Sequence, residues 1–224
     1  MKTYHLDPRR IPLDRVKDQI LGRKLSEKRR ILADDAESRF ARMRQFGILT
    51  LGDLIDATKT KTALARFQSE SGFPEDYLVV LRREALGYLP QPVDLKRIPG
   101  VDSGALTALS KARLADSKKL WERVVLGAIP MEALASEVGK DAEILRELLE
   151  MSDLARIPGV GPVFAKMIHE AGYLTTRELA AADVEELERR LKEVNAGGRY
   201  TKVTATTADL AACIGWAREL SSGA

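Results

Sequence analysis

The sequence predicts an all-α protein laid out as a tandem array of short-helix units. Three observations carry that expectation. The chain is 45% hydrophobic but only 5% aromatic, and Ala, Leu, Glu, Lys and Arg dominate it, a mix that favours helices over strands. One segment recurs at fixed spacing with its apolar register intact. Each recurrence is also bounded by residues that start and stop helices.

The recurring segment is DLARIPGV at 153–160, which returns as DLKRIPGV at 94–101, a shift of 59 residues. The register continues without gaps, Leu106 answering Ala165, Leu109 answering Ile168, Ala112 answering Ala171 and Leu120 answering Leu179. A third copy lies earlier, where FGILTLGDLIDA at 46–57 matches AGYLTTRELAAA at 171–182 with a shift of 125. Self-similarity at such periods marks a repeat architecture. The expected division is 1–35 as an arm and basic helix, 36–93 as a degenerate first unit, 94–150 as a second and 151–224 as a third.

Taken in order, YHLDPRRIP has two X-Pro steps that favour extended backbone at Asp7 and Ile11. It reads as an arm lying across another module or another subunit through Tyr4 and Leu6, a route to a homo-oligomer. Residues 1–47 hold 13 Lys and Arg against 7 Asp and Glu, while the rest of the chain is slightly acidic. Lys28, Arg29 and Arg30 form the peak of that excess. Such a front end suits an anionic partner such as nucleic acid, or is a solvated face balanced by the acidic residues behind it.

In the first copy Thr50 and Asp53 are spaced as a capping box, Gly72 ends a helix and Pro74 opens the next. In the second Asp116 is the cap, with Lys119 outside the box pattern, and Gly139 and Asp141 repeat the stop and start. In the third Val163, Met167, Ile168 and Ala171 recur at helical spacing. Gly172 suits the left-handed closing position, and Thr175 with Glu178 begins the following helix. Only Tyr200–Thr206 alternates at all, and it reads as a loop or an edge extension.

The third copy holds ARIPGVGPVFAKMI at 155–168. Gly159 and Gly161 are expected to adopt positive φ, Val160 to point inward, and Pro162 to sit in the first turn of a helix. The free amides at that helix start then face outward with the dipole behind them, a nest for a phosphate oxygen. These residues, with Leu154, Ile157, Pro158, Ala165 and Ile168, resemble the helix-hairpin-helix motif of DNA-repair, recombination and ligase proteins. The resemblance implies SAM-like, pentahelical units and a grip on duplex DNA through its phosphates, without sequence readout. With YHLDPRR, LGDLIDA and the C-terminal WAREL, the chain is also similar, over nearly its full length, to the domain of unknown function 4332 family. That similarity implies the fold and leaves the activity open.

The motif commonly carries Lys or Arg directly after the turn, where this chain has Val163 and Phe164. Arg156 and Lys166 are the nearby cations, and residues 151–195 hold 6 basic against 8 acidic side chains. In the second copy Asp102 stands for Gly161 and Ser103 for Pro162, so a carboxylate is expected to cap the helix from within and repel phosphate. The first copy has RRILADDAES in place of the turn. The phosphate-contact set is therefore Arg156, Pro158, Gly159, Val160, Gly161 and Lys166, with Lys28, Arg29 and Arg30 as a secondary patch. The alternative is that the same corner only turns the chain.

The remaining residues narrow the function classes. A single cysteine, Cys213, excludes an internal disulfide, and His5 and His169 are too far apart to suggest a metal site. His169 reads as a surface or half-buried helix residue, and Cys213, Trp121 and Trp216 as core or interface anchors. The NAGGRYTK loop lacks the ending of a nucleotide-binding P-loop and reads as a connector. No apolar run approaches the roughly 20 residues that span a bilayer. With no signal-peptide pattern, the expected location is the cytoplasm. No cofactor or membrane contact is expected. The leading expectation is non-enzymatic, sequence-independent binding of nucleic-acid backbone, duplex DNA foremost. The competing class is a protein-interaction scaffold, and an enzyme acting on nucleic acid ranks last because no metal-binding carboxylate cluster is recognisable.

Overall fold

A computed structural model of the chain describes residues 3–22 and 25–222. Among them there are helices, turns and loops but no strand, so the all-α class holds. Two compact units emerge: Leu6–Leu89, and Pro90–Ala224 together with the N-terminal residues up to His5. The first gathers most of the residues expected as basic helix and first copy, while the arm is divided between the two units at His5 and Leu6. The second gathers the other two copies.

In the Leu6–Leu89 unit the helices are α1 (Leu13–Leu21), α2 (Ala36–Gln45), α3 (Leu51–Thr58), α4 (Lys61–Ser71) and α5 (Glu75–Gly87). Leu13, Val16 and Ile20 recur at helical spacing along α1 and meet Phe40, Met43, Leu51, Leu54, Tyr77, Leu78 and Leu81 in one buried core. Lys28, Arg29 and Arg30 lie in a 3-10 turn, Glu27–Leu32, and are exposed. Arg29 reaches Glu84 at 3.4 Å.

The other unit contains α6 (Ser103–Lys111), α7 (Ser117–Trp121), α8 (Met131–Val138), α9 (Ala142–Leu154), α10 (Pro162–Glu170), α11 (Thr176–Ala180), α12 (Val184–Val194) and α13 (Thr207–Ser222). α9 packs against α7, α8 and α10, while α13 packs against α11 and α12. Leu120, Leu134, Leu145, Leu154, Ile157, Ile168, Leu179 and Leu187 are fully buried between them. Tyr200–Thr206 is a loop, and the segment before it is organised by Asn195. The Asn195 side chain accepts from the amides of Tyr200 and Thr201 and donates to the Thr201 carbonyl.

Two of the copies share a backbone pairing. Leu13 and Leu51 exchange hydrogen bonds with the carbonyls of Leu49 and Ile11, both at 2.9 Å. Leu95 and Ser117 do the same with Ala115 and Val93 at 3.0 and 2.8 Å. In the third copy the Asp153 carboxylate takes the Thr176 amide at 2.8 Å. The predicted caps are present too. Thr50 and Asp53 form a full capping box, Asp116 accepts from Lys119 N, and Thr175 accepts from Glu178 N. The Glu178 carboxylate, however, takes the Leu174 amide rather than that of the cap residue.

One helix in each copy ends the same way. Gly47 (φ 77°), Arg113 (φ 63°) and Gly172 (φ 88°) hold equivalent left-handed positions. The next amides, of Ile48, Leu114 and Tyr173, reach back to Met43, Leu109 and Ile168, the Schellman closure. An L side chain in that conformation costs about 1–2 kcal/mol, and glycine's extra unfolded freedom returns roughly 0.5–1 kcal/mol. Arg113→Gly is therefore expected to stabilise the protein by about 0.5–1 kcal/mol. The change should appear as a higher urea midpoint at constant slope, and a lower midpoint contradicts the strain argument.

Candidate nucleic-acid interface

α9 is opened by Asp141, whose carboxylate accepts from Glu143 N. It ends at Leu154, after which the chain reverses before Pro162 opens α10. The reversal is a four-residue turn, with Val160 N donating to Ile157 O at 3.0 Å. Pro158 sets the second position and Gly159, at φ 87°, the third, a left-handed conformation that strains an L side chain and suits glycine. Val160 points inward with 3% exposure, anchored beside Ile157. Gly159 is exposed, and Pro158 and residues 161–164 are half-buried. The elbow is thus open to solvent.

Gly161 departs from its expected conformation. Its backbone is extended, φ −88° and ψ −179°, because one left-handed residue completes the reversal and the next already has the geometry of a helix cap. A Cβ placed there meets nothing within 4 Å. What glycine contributes at 161 is the absence of a side chain, since no side-chain bond caps α10. The amides of Val163 and Phe164, in the first turn, have no intrahelical acceptor, and the positive end of the dipole lies at the same place.

The second copy is closed in the way its sequence predicts. Asp102 caps α6, and its Oδ1 accepts from Ala105 N at 2.6 Å. Ala105 is the register equivalent of Phe164, so the carboxylate occupies the position that an anion would take on α10. In the first copy α2 starts at Asp35, a left-handed residue (φ 50°) with no side-chain cap bond.

The side chains expected around the elbow are disposed differently. Arg156 is 7% exposed, with Nε donating to Tyr4 O at 2.9 Å and Nη2 to Thr3 O at 3.2 Å. Its Nη1 donates to Asp153, and the guanidinium lies 4.2 Å over the Trp121 ring. This removes Arg156 from the phosphate-contact set, because its donors are consumed in the interior. Its counterpart Arg97, in the same Arg-Ile-Pro-Gly-Val context, is exposed. Val160 contributes packing only, its amide already being used within the turn. Lys166 is paired with Glu170 at 3.4 Å, its side chain 15% exposed.

Glu170 also accepts from the Tyr200 hydroxyl at 2.7 Å and lies 3.5 Å from Arg199. Burial alone pushes the Glu170 carboxyl up, but the Tyr200 hydroxyl and the two cations outweigh it and hold the group below its usual range. Lys28, Arg29 and Arg30 belong to the Leu6–Leu89 unit, so they are a separate basic feature. What remains at the elbow is a set of backbone amides.

The other candidates are structural. His169 shares a hydrogen bond with Glu150 at 2.8 Å. Cys213 is buried, which pushes its thiol up to about 12. Trp121 and Trp216 are each 3% exposed. Among the described residues no group of three or more His, Cys, Asp and Glu side chains could hold a metal ion, and no helix is long and apolar enough to cross a membrane.

Sequence reasoning missed one constellation, formed by Tyr4, Ser117, Trp121, Asp153 and Arg156. Asp153 is its hub, with Oδ1 accepting from Trp121 Nε1 at 2.9 Å and from Arg156, and Oδ2 from Thr176 N. Tyr4 is 2% exposed, and its hydroxyl shares a 2.6 Å hydrogen bond with Ser117. Burial raises that phenol to about 12. The available signal was an asymmetry between copies, since Trp121 has Ala180 as its counterpart in the third copy.

A family model described as a domain of unknown function (DUF4332) matches residues 107–220, half of the chain, and the chain belongs to this family. The match covers α10, α13 as far as Leu220, and the WAREL segment. YHLDPRR and LGDLIDA, which the resemblance had included, lie outside it, so the matched span is shorter than the expected near-full length. No curated protein and no solved structure matches the chain.

Proposed function

For this family member we propose non-enzymatic, sequence-independent binding of nucleic-acid backbone. α9, the turn through Gly159 and α10 act as a helix-hairpin-helix that receives one phosphate of duplex DNA. The carrying observation is the contrast between two elbows of the same sequence family. Asp102 takes the Ala105 amide at the start of α6, while Gly161 leaves the start of α10 without a side-chain acceptor and open to solvent. Amides at a helix start bind phosphate oxygen without any particular side chain. Lys28, Arg29 and Arg30 supply a second, purely electrostatic attraction.

The test is fluorescence anisotropy with labelled duplex DNA at low salt. The expected result is saturable binding that weakens steeply with rising salt and does not depend on sequence. Gly161→Asp copies the second elbow into the third. Because Gly161 is already extended with open space around it, this variant is expected to fold normally and to bind at least about tenfold more weakly, or roughly 1.4 kcal/mol. Unchanged binding by this variant excludes the elbow as the contact.

A second reading, a protein-interaction scaffold, is favoured by one observation. Arg156 and Lys166, the two cations nearest the elbow in sequence, are both engaged within the protein. That reading predicts no DNA binding at low salt and self-association or partner capture that tolerates high salt.

A further inference from the structure

Thr3–His5 adopt neither helix nor strand, yet they fill a site built entirely by residues more than a hundred positions away. The walls of that site are held by bonds in which the arm takes no part. Asp153 fixes the Trp121 indole and the Arg156 guanidinium, Oδ2 of the same carboxylate ties down the start of α11, and Ser117 Oγ accepts from Val93 N at 2.8 Å. The arm contributes only a plug. Its Tyr4 ring meets Trp121 edge-on, with centroids 5.8 Å apart, and its hydroxyl meets Ser117. The carbonyls of Thr3 and Tyr4 accept from the single Arg156 guanidinium.

We propose that this cleft of Ser117, Trp121, Asp153 and Arg156 is an exchangeable peptide-binding site for a tyrosine in a short, bent segment, and that the N-terminal arm is its resident ligand. Its four residues lie within the family-matched span 107–220, whereas the occupant comes from outside that span. The recognition chemistry is specific. A planar guanidinium already oriented by a carboxylate and stacked on an indole reads two successive main-chain carbonyls, which leaves the flanking side chain unread. Thr3 is accordingly exposed. The aromatic edge and the serine hydroxyl read the phenol. His5 covers the plug, its ring 4.8 Å from that of Tyr4 and nearly perpendicular to it. An arm tethered to its own receptor has an effective concentration on the order of millimolar, so it excludes a free peptide present at micromolar levels.

The inference rests on residues other than the elbow amides, so it stands or falls separately from DNA binding. The test uses the full chain carrying Tyr4→Ala and a labelled synthetic peptide, MKTYHLD, followed by anisotropy. The expected result is saturable one-to-one binding, at least tenfold tighter than to the wild-type protein, and no binding of the same peptide with alanine for tyrosine. Binding to the folded variant no tighter than to wild type overturns the proposal. Should Tyr4→Ala fail to fold, Tyr4→Phe serves. It keeps the ring and loses one hydrogen bond, so the peptide is expected to compete about fivefold better than on wild type. No difference between the Tyr4→Phe and wild-type proteins overturns it equally.

Discussion

Arg156→Ala is expected to destabilise the unit that contains it by about 3 kcal/mol, a large share of the stability of a domain this size. The guanidinium is buried against Asp153, so removing it leaves a carboxylate in the interior without its counter-charge, a change that typically costs about 3–5 kcal/mol. The effect falls at the low end because Asp153 keeps two donors, Trp121 Nε1 and Thr176 N. The carbonyls of Thr3 and Tyr4 also lose their donor. Arg156→Lys is expected to lie between wild type and alanine, since an ammonium keeps the charge but not the planar fork or the stacking surface. Urea unfolding reads both, and a loss below about 1 kcal/mol contradicts the assigned role. While still folded, the alanine variant is expected to bind DNA with an unchanged salt dependence.

Trp121→Ala is expected to cost about 3–5 kcal/mol, the usual range for emptying a buried aromatic site. Two terms add to the cavity: Asp153 loses a donor, and the Arg156 guanidinium loses the ring it lies on. Trp121→Phe retains most of the volume and is expected to cost about 1–2 kcal/mol, chiefly through the lost indole hydrogen bond. Because Trp121 and Arg156 share Asp153 and touch each other, their losses should not add. The double variant is expected to be less destabilised than the sum by about 1–2 kcal/mol. Strict additivity in a urea series shows instead that the two residues act independently.

These two residues mark where the sequence stops being informative. Helix boundaries were legible because their signals are local. Gly72, Gly139 and Gly172 close helices in left-handed geometry, and Thr50, Asp116, Asp141 and Thr175 start them. The self-capping of Asp102 was readable for the same reason, being a bond to an amide three residues away. The fate of Arg156 was not. Arg97 and Arg156 stand in nearly identical segments, yet one is exposed and the other buried, because burial depends on Trp121 and on an arm far off in sequence. Gly161 shows a subtler limit. Sequence marks a glycine but does not say whether its freedom in φ or its missing side chain is used, and here it is the second.

The decisive difference is that α10 starts without a side-chain acceptor for its first-turn amides, whereas at the start of α6 Asp102 takes the Ala105 amide. Two-dimensional amide NMR of the full chain, titrated with a short duplex at low salt, addresses it residue by residue. The Gly161, Val163 and Phe164 signals are expected to shift progressively while that of Ala105, already bonded to Asp102, stays in place. Shifts confined to the basic turn at Lys28–Arg30, or equal movement of Ala105 and Phe164, would contradict it.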